Sequence, residues 1–138
     1  MRPPAASPGI AGPAAVVMAA ALAGIAPSAS QACGACAEDK IAATYDHGVV
    51  ERAAASGDVM VFCDITGALD AQRVKEAVRR VRGVKSQSVR ISAPLAAVSF
   101  AVDPRVRSPQ DAVEAAQRTM PSGTRLNIVR LQGRAEHP

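Results

Sequence analysis

Three cysteines carry the plainest chemistry in this chain. Cys33 and Cys36 form a Cys-x-x-Cys, Cys33-Gly34-Ala35-Cys36, and Cys63 lies in the apolar run Val59–Ile65. A helix N-terminus favours a thiolate, which is both nucleophile and soft-metal ligand. Two thiolates at this spacing can hold one soft ion such as Cu(I), or close as a disulfide. Zinc would want two more ligands, and neither a second Cys-x-x-Cys nor a His pair supplies them. In an oxidising compartment Cys63 could instead bond Cys33 or Cys36 as a staple, and the odd count then leaves one thiol over. His47 stands eleven residues beyond Cys36, about 16 Å along a straight helix, too far to share an ion with it. His137 falls in the C-terminal tail. Met60 and Met120 read as core residues, and Asp70 as a helix cap more than a ligand.

These residues need elements to position them. Residues 33–56 read as one helix. Glu38 and Asp39 fall in its first turn, Ile41, Tyr45 and Val49 recur every four residues as an apolar stripe, and Ser56-Gly57-Asp58 stops it. From 58 the rhythm changes. Val59–Ile65 is rich in β-branched and apolar residues, as a strand is. Thr66–Asp70 turns the chain into a helix carrying Val74, Ala77, Val78 and Val81 and ending at Gly83. Val84–Ser92 and Ala96–Val102 read as the next two strands. Ser108-Pro109 opens a second helix, with proline at its first position. A last strand carries Leu126, Ile128, Val129 and Leu131. The order βαββαβ predicts an α+β chain: a ferredoxin-like sandwich over 58–133, with a four-stranded antiparallel sheet and both helices on one face. The other face is left open, and the helix of 33–57 has an apolar stripe to lay across it.

Residues 1–32 are set apart. They hold one charged side chain, Arg2, an apolar stretch over 10–26, and the small-residue exit Pro27-Ser28-Ala29-Ser30-Gln31-Ala32. Those are the parts of a secretory signal peptide, and cleavage after Ala32 would make Cys33 the new N-terminus. A retained anchor and a lipid on Cys33 are the alternatives. The expectation is an exported, periplasmic protein that meets the membrane only through this segment.

Composition narrows the function. The 138 residues are 49% hydrophobic but only 2% aromatic, with a formal charge of +4. So few aromatics leave no base-stacking platform, and the arginines are scattered along the sequence, so no nucleic-acid partner is expected. No Ser/His/Asp set, Gly-rich phosphate loop or catalytic carboxylate pair stands out, and no enzyme is expected.

The helix Val74, Ala77, Val78, Val81 ending in Gly83-Val84, the strand Ala97-Val98-Ser99-Phe100 and the turn Asp103-Pro104 together resemble the heavy-metal-associated (HMA, metallochaperone-like) domain family over roughly 58–131. That family includes copper chaperones, mercury-binding periplasmic proteins and N-terminal modules of copper-pumping ATPases. The chain departs from it at one point: the family's loop Cys-x-x-Cys falls here on Gly67 and Asp70, and a Cys-x-x-Cys appears at the N-terminus instead. The family register places Met60 and Phe62 toward the two helices and Cys63 toward the open face, where the three thiols would converge. The family's own site being absent, the metal site is read from the three cysteines themselves: Cys33, Cys36 and Cys63 are expected to hold Cu(I) or another soft ion, with a membrane metal transporter or a metalloprotein acceptor as partner. A thiol–disulfide redox protein and a disulfide-stapled interaction module remain as alternatives.

Overall fold

The computed structural model describes residues 36–133, together with Gly9 and Gly12. The remainder of the expected signal peptide, Cys33 and the 134–138 tail with His137 lie outside the described residues. The elements in chain order are α1 (Ala37–Thr44), α2 (His47–Ser56), β1 (Val59–Gly67), α3 (Ala71–Arg79), β2 (Arg90–Ser92), β3 (Ala97–Val102), α4 (Pro109–Thr119) and β4 (Thr124–Gln132).

The strands form one antiparallel sheet in the order β2-β3-β1-β4. β1 is central, and helices cover both its faces. Val61, Cys63 and Ile65 point into a core with Val74 and Val78 of α3 and Ala112, Val113 and Ala116 of α4. Met60 and Phe62 point the other way, into a second core with Ile41, Val49 and Ala53 of α1 and α2. Strand alternation makes the two sets exclusive. The starts of α3 and α4 are each fixed by a capping side chain: Asp70 accepts from Arg73 N at 3.1 Å, and Ser108 accepts from Asp111 N at 3.1 Å ahead of Pro109.

Three expectations need correction. Residues 33–56 do not form one helix. The backbone turns at Tyr45-Asp46, where the Asp46 carboxylate accepts from Val49 N at 3.1 Å and caps a new helix. Tyr45 is therefore 46% exposed, while its supposed stripe partners Ile41 and Val49 are buried. The second expected strand, Val84–Ser92, shrinks to Arg90–Ser92. Val84 makes a single bridge to Val102, and Ser86–Ser88 is a 3₁₀ turn. The Ser88 hydroxyl accepts from Ala101 N at 2.8 Å and so satisfies an amide that a longer β2 would have paired. Finally, Cys63 faces α3 and α4, not the face covered by the N-terminal helices, so the family register is inverted by one residue.

α1 crosses the sheet, with a polar contact to each strand in turn. Glu38 pairs with Arg130 of β4, Lys40 with Asp64 of β1, the Thr44 carbonyl accepts from Ser99 Oγ of β3 at 2.9 Å, and Asp46 just beyond it pairs with Arg90 of β2 at 2.9 Å. α2 then lays Val49 and Ala53 over Met60 and Ala101.

Candidate metal centre

Cys36 occupies the N-cap position of α1 in extended backbone, with its thiol exposed and free. Its carbonyl accepts from Lys40 N at 3.2 Å, the first intrahelical bond. Its Sγ donates to Asp39 Oδ2 at 3.2 Å. Residues three apart share a helix face, so the carboxylate sits beside the thiol by construction. The Glu38–Arg130 pair, two residues on, ties this end of α1 to β4, one of the two edge strands of the sheet. Cys33 lies outside the described residues.

Cys63 is a different kind of group. It is 1% exposed, free, and packed among the valines between β1, α3 and α4. Burial, reinforced by the neighbouring Asp64 charge, pushes its thiol up to about 12 from an ordinary 9.0. A ligand thiol must lose its proton, and this one is held protonated inside an apolar layer. Cys36 and Cys63 are on opposite faces of the sheet, so the expected convergence of Cys63 with the N-terminal pair does not occur, nor does a Cys36–Cys63 staple. Among the described residues no three His, Cys, Asp or Glu side chains come together as a metal cluster.

The loop between β1 and α3, where the resemblance would put its thiols, is closed. Gly67 has φ +84°, and a Cβ there would overlap the Gly123 carbonyl. Ala68 N donates to that carbonyl at 3.2 Å, and Thr124 Oγ1 donates to Ala68 O at 2.6 Å. Asp70 is occupied in capping α3. His47 is exposed at the start of α2, with Nε2 3.0 Å from Glu51. Met60 is buried in the second core, under α1 and α2, and Met120 packs at the edge of the first. Asp64 is taken up by Lys40.

Sequence reasoning missed Asp39 as the neighbour of Cys36, although the i, i+3 spacing was in plain view. It also missed that Asp46 ends the first helix. The signal was an Asp three residues ahead of Val49, the same pattern that identified Asp70. Among the described residues no helix is long and apolar enough to cross a membrane.

No protein-family model matches the chain, and no curated protein matches it. Among solved structures it is similar to the crystal structure of a copper-binding domain from HMA7, a P-type ATPase. That similarity has 18% sequence identity and a TM-score of 0.46, and it covers 54% of this chain and 97% of that one.

Proposed function

We propose that the chain is an exported metal-binding protein that takes Cu(I) or a similar soft ion on the thiolates of Cys33 and Cys36. It holds the ion in the periplasm and passes it to a membrane metal transporter or a metalloprotein acceptor. The role is binding and transfer, not catalysis. The observation that carries this reading is the exposed, free Cys36 thiol at the head of α1, three residues after Cys33, while the third thiol is buried on the other side of the sheet. Two thiolates suit the low coordination number and softness of Cu(I). Asp39, already bonded to the Cys36 thiol, stands where it can receive the proton that metal binding displaces. The apolar stretch and small-residue exit of residues 1–32 support export.

Compared with the reading from sequence, the ligand set contracts from three thiols to two. The test is an anaerobic Cu(I) titration in competition with a chromogenic chelator, with intact mass recorded alongside. One Cu(I) per chain is expected. Cys33→Ser or Cys36→Ser abolishes it, and Cys63→Ala keeps it. Stoichiometric uptake by the Cys33→Ser/Cys36→Ser chain would overturn the assignment. Insulin reduction by a chain that takes up no copper would make the pair a redox couple instead.

A further inference from the structure

Charge is segregated along this chain. Residues 36–66, which include α1, α2 and β1, carry six acidic and two basic side chains. Residues 67–132 carry twelve basic and five acidic ones. The fold concentrates the excess further. The turn after α3 (79–86) and the turn after β3 (103–107) meet at one end of the sheet: Asp103 N donates to Gly83 O at 2.9 Å, and Lys85 N donates to Ala101 O at 2.9 Å. Gly83 is packed against Val106 and Arg107, and a Cβ on it would lie 3.2 to 3.3 Å from their side chains.

These two turns carry Arg79, Arg80, Arg82, Lys85, Arg105 and Arg107, with Glu76 3.8 Å from Arg80, the buried Asp58 3.9 Å from Lys85, and one carboxylate of their own, Asp103. That carboxylate is already consumed by Arg105 through bonds of 2.9 and 3.0 Å. At the tip, between Arg105 and Arg107, Val106 is 48% exposed.

We infer that this end of the molecule is a docking surface for an anionic phospholipid membrane. Arginine forks pair with phosphate oxygens. An apolar side chain set among cations matches a surface that presents phosphates above hydrocarbon. An acidic protein surface would use the arginines but would leave Val106 without a role. The patch is separate from Cys36, which heads α1 near β4 on the other face of the sheet, so membrane contact would leave that thiol uncovered.

The test is partition of the purified chain onto vesicles of phosphatidylcholine alone and of phosphatidylcholine mixed with phosphatidylglycerol. Any contribution from the N-terminal segment is common to all variants. Replacing two cations by Arg82→Gln/Arg107→Gln should lower partition onto the anionic vesicles about 25-fold, at about fivefold per charge. Binding to the neutral vesicles should not change. Val106→Ser should weaken anionic binding with every arginine in place. Unchanged thermal melting checks that both variants fold. Equal partition of variant and unsubstituted chains overturns the inference. Displacement by poly-glutamate combined with no effect of Val106→Ser also overturns it, and assigns the patch to an acidic protein surface.

Discussion

The sharpest consequence of the structure concerns Cys63. Folded, its thiol titrates near 12; unfolded, it returns to about 9.0. At pH 8 the unfolded thiol is about one-tenth thiolate and the folded one about one part in ten thousand, so ionisation alone slows reaction with a thiol reagent about a thousandfold. Full burial slows it again, because the reagent must wait for the core to open. Cys36 is exposed and lacks that burial. Treating the folded chain with N-ethylmaleimide and mapping the products by mass should show Cys36 modified at once and Cys63 only after denaturant is added. The same shift predicts how stability depends on alkaline pH. Below about pH 9 the thiol is neutral in both states and its contribution is intact. Above that the unfolded state loses its proton first, so stability falls by about 1.4 kcal/mol per pH unit until about pH 12. Labelling of Cys63 in the folded chain within tenfold of the Cys36 rate would refute the placement of this residue in the core, and with it the two-thiol site.

Further outcomes follow from individual contacts. Gly67→Ala should destabilise the fold by about 3 kcal/mol or more in chemical denaturation, since the new methyl meets the Gly123 carbonyl at a positive φ. For the same reason Gly67→Cys/Asp70→Cys should fail to create a copper site in the β1–α3 loop, as read by Cu(I) titration. Ser99→Ala leaves the buried Thr44 carbonyl without its donor and should cost about 1–3 kcal/mol, with amide exchange in α1 accelerating more than in α4. The Val49 amide and then Arg90 hold the Asp46 carboxyl below the usual range. Its contribution is therefore present above about pH 4 and is lost as the pH falls further, whereas an Asp46→Asn chain should show a flatter acid limb in thermal melts.

Much of the fold was legible because its signals are local. Asp70, Ser108-Pro109 and Gly83 mark helix ends through their own backbone chemistry, and the βαββαβ order follows from them. The facing of β1 was not legible. Met60, Val61, Phe62 and Cys63 are all apolar because a central strand is buried on both sides, so alternation gives no parity and a borrowed register decided it wrongly. The short β2 was hidden for another reason: a serine hydroxyl replaces a ladder partner, which composition does not announce. At the candidate site the Cys36 thiol was readable from spacing. The removal of Cys63 from it was not, because that depends on which face of one strand meets which helices.

The crossing of α1 over all four strands also bears on the order in which the protein assembles. Its contacts reach from Glu38 to Arg130, ninety-two positions along the chain, and from Thr44 to Ser99, fifty-five positions apart. Contacts of such long sequence separation form only after the intervening loop has been closed. α1 rests its apolar side on β1 and β3, and its tie to β4 therefore closes only when the last strand is in place. Until β4 is in place the Cys36 end of α1 lacks its ion pair to Arg130, so a chain truncated before Arg130 would carry Cys36 without that tie. Assembly is in this sense a checkpoint: Cys36 acquires its full setting only in a finished molecule.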